Sequence, residues 1–157
     1  MSRMAGRSPR ARPSDRADGP PDAALEVAVR VARLVGRGGR AVLVGVDGRS
    51  GSGKTSLTSE VAAVLEGRGV AVALAEVEAF VPGWDGLADG VRRVAERLLA
   101  PVRDRGWAEL APWDWHAGRW SPPARIPARG CADVLLLVGC GSTSAPCAPL
   151  LDVSVWL

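Results

Sequence analysis

Apolar residues follow two patterns that take turns along the chain, one typical of helices and one typical of buried strands. Leu25, Val29, Ala32 and Val35 recur at the three- to four-residue spacing of one helix face, and the glycines that follow Val35 end this helix. The next run, over 41–46, is apolar without polar alternation. A short run of that kind is typical of a strand that is buried on both faces of a parallel sheet.

The same two patterns repeat toward the C-terminus. The remaining predicted elements are helices over 55–67 and 87–99 and strands over 70–77, 134–138 and 152–157. Residues 101–130 are rich in Trp, Pro and Arg and are predicted to be irregular, with Pro101 just past the end of the preceding helix. Strands that alternate with helices predict a three-layer α/β fold with a mainly parallel sheet of about four strands.

Charge divides the chain into two parts. Residues 1–20 hold five arginines against two aspartates, which accounts for the whole net charge of +3. We therefore expect residues 1–21 to be a disordered basic tail and residues 22–157 to form one domain of balanced charge. A nucleic-acid-binding domain would carry its basic patch on the folded part, so no nucleic-acid partner is predicted.

Signals for a membrane, for export and for zinc are missing from the sequence. No run approaches the roughly 18–20 apolar residues of a membrane span, and no apolar segment follows the N-terminal arginines as it would in a secretory signal. No membrane partner is predicted, and a cytoplasmic location is expected. The cysteines Cys131, Cys140 and Cys147 lack the paired spacing of a zinc site.

One glycine-rich segment carries a specific motif. Gly48, Gly53, Lys54 and Thr55 satisfy G-x-x-x-x-G-K-[ST] between a predicted strand and a predicted helix. Glycines let the backbone curl until several N–H groups face one anion, and the helix adds the positive end of its dipole. The predicted nucleotide-binding residues are Gly48, Arg49, Ser50, Gly51, Ser52, Gly53, Lys54, Thr55 and Ser56.

Two side chains of this motif have a predicted chemical role. Lys54, the only lysine in the chain, should contact the β- and γ-phosphates of ATP during catalysis, and the Thr55 hydroxyl should help hold Mg²⁺. ATP and Mg²⁺ are thus the predicted cofactors, and the fold class becomes that of the P-loop NTPases. The alternative is a glycine-rich turn from strand to helix that binds no ligand.

Carboxylates near the ends of the strands are the candidates for acid–base work. Alternation puts Glu76 and Glu78 on one face of the second strand, with Glu78 nearer its carboxyl end, where ligands bind in open α/β sheets. Glu78 is the candidate general base, and a solvated carboxylate without function is the alternative. The third strand is followed by 138–142, which contain no Asp or Glu, so the acid that assists Mg²⁺ is missing there.

Two tryptophan-rich segments offer a binding surface for an acceptor. They lie over 82–87 and 112–120 and combine aromatic rings with carboxylates and an arginine. The candidate substrate-binding residues are Trp84, Asp85, Trp113, Asp114 and Arg119. The alternative is that these tryptophans only pack a long excursion onto the domain. His116, the single histidine, is expected to be an ordinary surface or core-edge residue.

Residues 40–157 resemble the uridine kinase and phosphoribulokinase-like P-loop kinases. The resemblance rests on segments 46–55, 82–87, 113–115 and 139–142. It implies a doubly wound α/β fold and transfer of the γ-phosphate of ATP to a small hydroxyl acceptor. Glu78 stands where the family has the first of two carboxylates after the second strand, and Val138 stands where it has a glutamate.

The resemblance also implies an arginine-bearing lid and a last strand beyond the fourth strand. The sequence stops at Leu157, so the domain over 22–157 is expected to be a copy truncated before the lid. A lid supplies cations to the transferred phosphoryl group and excludes water. Without it, we expect turnover to be slow or absent.

These observations leave several hypotheses. The first is an ATP-binding P-loop protein that acts as a kinase on a small hydroxyl acceptor such as a nucleoside. The second is a nucleotide-binding protein without catalytic activity, as in a truncated or degenerate kinase. A GTPase would need a second lysine for base recognition, and a motor-type ATPase would need an acidic end on the third strand. A structural or interaction module is the remaining class. The sequence does not indicate an oligomeric state.

Overall fold

A computed structural model describes residues 21–157 and contains a central parallel sheet covered by helices on both faces. The strands are β1 (Val42–Asp47), β2 (Val72–Glu76), β3 (Ala108–Leu110), β4 (Trp113–Asp114), β5 (Arg119–Trp120), β6 (Ala124–Ile126), β7 (Val134–Val138) and β8 (Val153–Trp156). The helices are α1 (Pro21–Ala32), α2 (Lys54–Glu66), α3 (Leu87–Val94) and α4 (Ala100–Arg105). The predicted disordered tail lies outside the described residues, apart from Pro21, at which α1 begins.

The main sheet has the strand order β2-β7-β1-β8, and all three of its strand pairs are parallel. β7 lies between β1 and β2, with Val134 opposite both Val42 and Val72. The sequence-based prediction of a mainly parallel α/β sheet of about four strands is therefore confirmed. Because the strands are parallel, the carboxyl ends of β1, β2 and β7 lie at the same edge of the sheet.

Alternate residues of each central strand pack against different helices. Leu43 and Leu135 face the layer formed by the helical run 87–105, whereas Val44 and Leu136 face α1 and α2. All four of these side chains are fully buried. This arrangement explains why β7, and β1 as far as Val46, contain no polar residues, since both faces of the sheet are covered.

The third helical region is longer than predicted. α3 continues through a π-helical turn (Ala95–Leu99) into α4, and the run ends at Gly106, whose N–H donates to the Val102 carbonyl at 2.8 Å. Pro101, expected just beyond the helix, lies in its interior at the first turn of α4. The wider π-helical turn before it leaves room for a residue that has no N–H group to donate. No helix among residues 21–157 is both long enough and apolar enough to cross a membrane.

The prediction that residues 101–130 are irregular is wrong. After α4, this segment forms two small antiparallel sheets, in which β3 pairs with β6 and β4 pairs with β5. Strands of two or three residues are too short to show polar–apolar alternation. The prolines between them also argue against strands in a sequence-based prediction.

The layered core makes a direct prediction about stability. Leu74 and Leu136 are opposite each other in neighbouring strands, but Leu136 is fully buried and Leu74 is 52% exposed at the sheet edge. Leu136→Ala should lower the free energy of unfolding by about 2–5 kcal/mol, because it leaves a cavity. Leu74→Ala is the matched control and should cost less than about 1 kcal/mol. Urea denaturation of both variants tests this, and equal losses would contradict the layer assignment.

Candidate phosphate-binding site

Residues 48–53 connect β1 to α2 in a tight curl that uses left-handed backbone. Gly48, Gly51 and Gly53 have φ values of 143°, 78° and 91°. A Cβ at Gly51 or Gly53 would meet no atom within 4 Å, so these positions favour glycine for its backbone angles and not for lack of space. The loop is therefore open on the side toward which these residues face.

The N–H groups at the start of α2 are available to a ligand. Within the described part of the chain, the N–H groups of Gly51, Gly53, Lys54, Thr55 and Ser56 donate to no backbone carbonyl. Gly53 precedes the helix and provides no side-chain cap. A row of free amides at the positive end of a 13-residue helix is a ready-made anion site.

Lys54 lies over this loop. Its Nζ donates to the carbonyls of Gly48 at 2.9 Å and Arg49 at 2.7 Å, which leaves one N–H of the ammonium for another acceptor. The Ser52 hydroxyl is buried nearby without a partner among the described residues, and Thr55 and Ser56 are exposed in the first turn of α2. Free amides, an ammonium and an unpaired hydroxyl fit the phosphates of a nucleotide. The Thr55 hydroxyl suits the oxygen-rich surroundings that Mg²⁺ prefers.

Asp47, which the sequence analysis did not select, connects this loop to the rest of the site. Its carboxylate is 5% exposed and accepts hydrogen bonds from Gly48 N at 2.8 Å, Gly141 N at 3.3 Å, and Thr143 N and Oγ1 at 3.1 and 2.9 Å. Residues 139–144, which follow β7, are called the bridging loop below. The only sequence signal for Asp47 was a charged residue directly after an apolar strand and before the first motif glycine.

Hydrogen bonding determines the charge state of Asp47. Burial alone would raise the pKa of its carboxyl group, but the hydrogen bonds from Thr143, Gly48 and Gly141 outweigh burial and hold the pKa below its ordinary value. Asp47 is therefore ionised at neutral pH, and each of its two oxygens already accepts two hydrogen bonds.

Glu78 lies close to the bridging loop. It is in a 3₁₀ turn (Val77–Phe80) directly after β2, not on the strand itself, and its side chain is exposed. Its Oε1 accepts a hydrogen bond from Cys140 N at 3.1 Å, and the Cys140 Sγ is 3.9 Å from the Gly48 carbonyl oxygen. The structure thus brings both Glu78 and the phosphate-binding loop into contact with one residue, Cys140.

An aromatic pair adjoins the turn that carries Glu78. The rings of Trp84 and Trp115 have centroids 5.3 Å apart, and Trp115 Nε1 donates to the Glu78 carbonyl at 3.2 Å. Trp84 is 92% exposed, and Asp85 is exposed beside it. Trp115 was not among the predicted substrate-binding residues, because the sequence does not show which tryptophan of the second segment faces Glu78.

Other candidate acceptor-binding residues hold the β4–β5 hairpin together. Asp114 Oδ1 accepts hydrogen bonds from the N–H groups of His116 and Ala117 at 2.9 Å, and the bond from Ala117 contributes most to lowering the Asp114 pKa. The rings of Trp113 and Trp120 pack edge-on with centroids 5.1 Å apart, and Arg119 is opposite Asp114 in the register of the two strands. These contacts are structural, and a role for Trp113, Asp114 and Arg119 in binding a substrate stays a prediction.

A cavity of about 370 Å³ lies at the opposite edge of the sheet, near the amino ends of β1 and β7. Arg40 and Arg103 line it, and both pair with Asp152. Arg105, Asp104 and Asp133 also line the cavity. Together with Asp152, three aspartates therefore balance the three arginines. This cavity offers no net attraction for phosphate and is separate from the site at the carboxyl ends of the strands.

Comparison with solved structures agrees on the fold. The structure of a possible uridine kinase from Bacillus stearothermophilus superposes with a TM-score of 0.67 at 18% identity, over 86% of this chain and 79% of that one. A candidate fructose transport system kinase from Silicibacter sp. TM1040 gives a TM-score of 0.62 at 21% identity, over 85% and 72%. No family model and no curated protein sequence matches this chain. The chain therefore has the fold of P-loop kinases.

The Asp47 network predicts a pH-dependent contribution to stability. Asp47→Asn should lower the free energy of unfolding at neutral pH by roughly 1–3 kcal/mol, since an amide cannot accept from all four donors. Because the folded-state pKa is lowered, the contribution of the wild-type carboxylate is complete above its unfolded pKa and is lost as the pH falls through the folded value. The difference between the two proteins should then shrink below about pH 4.

Denaturant unfolding at a series of pH values measures this difference. Thr143→Val removes one donor to Asp47 and should cost less than Asp47→Asn, while Thr143→Ser keeps the hydroxyl and serves as the control. A stability difference between wild type and Asp47→Asn that does not change with acidification would show that the carboxylate is not the stabilising group.

Proposed function

We propose that this protein binds Mg-ATP and transfers the γ-phosphate to a small hydroxyl acceptor such as a nucleoside. The observation that carries the proposal is the set of free amides at the start of α2, in the same loop whose Gly48 and Arg49 carbonyls the Lys54 ammonium contacts. Such an arrangement attracts a polyphosphate, and few other ligands use so many N–H donors at once. Membership of the uridine kinase-like family is part of the same proposal.

Each part of the site has a distinct role in such a reaction. The amides of Gly51, Gly53 and the first turn of α2 bind the phosphates, Lys54 adds a positive charge as negative charge develops, and the Thr55 hydroxyl holds the cation. Mg-ATP supplies the transferable phosphoryl group when bound. Glu78 is the candidate base that receives the proton of the acceptor hydroxyl at a carboxylate oxygen.

The aromatic pair beside Glu78 supports an acceptor with a flat ring. Trp84 presents almost its entire side chain to solvent and touches Trp115, which is bonded to the backbone of Glu78. A large exposed aromatic side chain beside a candidate base suits stacking of a planar group. A hydroxyl on the same molecule would then lie beside the turn that carries Glu78.

A second candidate function is nucleotide binding without phosphoryl transfer. The observation that favours it is the lack of any acidic residue from Val138, the last residue of β7, to Ser142. The two candidates differ in one measurement. Isotopic transfer from ATP to a panel of nucleosides and other hydroxyl compounds occurs in the first and is absent in the second, while ATP binding is common to both.

ATP binding should depend on Lys54. Mg-ATP at one hundred times its dissociation constant should stabilise the wild-type protein by about 2.7 kcal/mol and raise its melting temperature. Lys54→Ala should abolish this rise. Arg68→Ala is the matched control, because it removes an exposed cation at the far end of α2, roughly 20 Å away.

Melting curves without ligand must accompany this test, because Lys54 bonds two loop carbonyls. The proposal fails if Mg-ATP raises the melting temperature of neither the wild-type protein nor Arg68→Ala. It also fails if Lys54→Ala, folded, keeps the full rise.

Acceptor binding should depend on the Trp84 ring. Trp84→Ala should raise the KM for a nucleoside acceptor about tenfold, since stacking on an aromatic ring contributes roughly 1–3 kcal/mol. ATP affinity should be unchanged, and Trp84→Phe, which keeps a ring, should recover most of the loss. Steady-state kinetics with varied acceptor checks this, and an unchanged KM in Trp84→Ala would remove the aromatic pair from the acceptor site.

A further inference from the structure

β7 ends without the acid that P-loop enzymes commonly use to help hold magnesium. In such enzymes, the metal is held by the Ser or Thr of the loop together with an aspartate from a neighbouring strand. β7 pairs directly with β1, which leads into the phosphate-binding loop, so its end is the natural place for that acid. Val138 is buried there, and Gly139 follows it.

The space that a side chain at position 139 would fill is taken by Glu78. A Cβ built on Gly139 would lie 2.9 Å from Glu78 Cδ and would collide with Oε2. The φ angle of Gly139 is 129°, a conformation that favours glycine. Cys140 N holds the other oxygen of the same carboxylate at 3.1 Å. The carboxylate that lies at the end of β7 therefore belongs to Glu78, in the turn after β2.

Of the carboxylates bonded to the bridging loop, Glu78 is the one with a free oxygen. Both oxygens of Asp47 already accept two hydrogen bonds each, so Asp47 has no lone pair for a cation or its water. Within residues 21–157, Glu78 Oε2 accepts no hydrogen bond. Magnesium bound with a nucleotide keeps several waters and needs only one or two protein carboxylates besides the phosphates.

We propose that Glu78 supplies the missing magnesium-side carboxylate, with Cys140 N fixing Oε1 and Oε2 free to bind the hydrated cation. This proposal rests on the proposed function, since the cation arrives with ATP. It gives Glu78 a task beyond that of general base. It also accounts for how a strand that ends at Val138, with Gly139 and Cys140 after it, can border a magnesium site.

The test compares ATP affinity with and without magnesium in two charge-removing variants. Glu78→Gln removes the proposed carboxylate, and Glu76→Gln removes the same charge from an exposed side chain two residues earlier, at the end of β2. Calorimetric titration with ATP, in EDTA and then in excess Mg²⁺, gives the enhancement of affinity by magnesium for each protein. Mn²⁺ bound in the presence of ATP, measured by electron paramagnetic resonance, provides a second readout that needs no turnover.

The expected result is a loss of ATP affinity in Mg²⁺ that is absent in EDTA. In EDTA, Glu78→Gln should bind ATP as tightly as the wild type or more tightly, because a negative charge near the phosphates is gone. The enhancement of its ATP affinity by Mg²⁺ should be about tenfold smaller than in the wild type, since a charge-assisted contact is lost. Its affinity for Mn²⁺ in the presence of ATP should fall by a similar factor. Glu76→Gln should behave as wild type in both conditions.

The remaining outcomes are distinct from one another. Equal magnesium enhancement in Glu78→Gln and wild type would overturn this inference and leave the proposed function standing. Equal weakening of Glu78→Gln in EDTA and in Mg²⁺ would show a structural role for the side chain and would also overturn the inference. Failure of the wild-type protein to bind ATP in either condition would refute the proposed function, and the magnesium role of Glu78 with it.

Discussion

The buried carboxylate of Asp47 is the interaction on which the site depends. A charge with so little exposure is stable only when its lone pairs are filled, and here all four donors come from the two loops that border the site. If either loop moved away, the charge would lose partners in an apolar setting. The network therefore fixes the phosphate-binding loop relative to the bridging loop, and through Cys140 relative to Glu78 as well.

The parallel sheet makes this convergence possible. β7 lies between β1 and β2, so the segments after these three strands emerge side by side although they are far apart in sequence. Asp47 and Thr143 are 96 residues apart, and Glu78 and Cys140 are 62 apart, yet both pairs are hydrogen-bonded. The core on both faces of the sheet supplies the rigidity, and the loops at one edge supply the chemistry.

The sequence allowed the main sheet and the glycine loop to be predicted because each has a local pattern. Uniformly apolar runs mark β1 and β7, and the spacing from Gly48 to Thr55 marks the loop. The hydrogen bonds of Asp47 and of Trp115 could not be predicted, because they join segments that are distant in the sequence. Nothing near Asp47 in the sequence indicates that its partners are Gly141 and Thr143, and nothing near Trp115 indicates that it meets the backbone of Glu78. The small strands of residues 108–126 were not predicted, because two or three residues are too few to show a periodic pattern.

The Glu78 carboxylate fills the space beside Gly139, and this packing limits which substitutions the chain can accept. A mutation that restored an acid at the end of β7 would place its side chain where the Glu78 carboxylate already lies, in a backbone conformation unsuited to it. A side chain at position 139 would therefore require the Glu78 carboxylate to move, and a change of the backbone at Gly139 as well. Among descendants of this sequence, any residue other than glycine at position 139 should therefore be accompanied both by a displaced or smaller side chain at position 78 and by a rebuilt bridging loop.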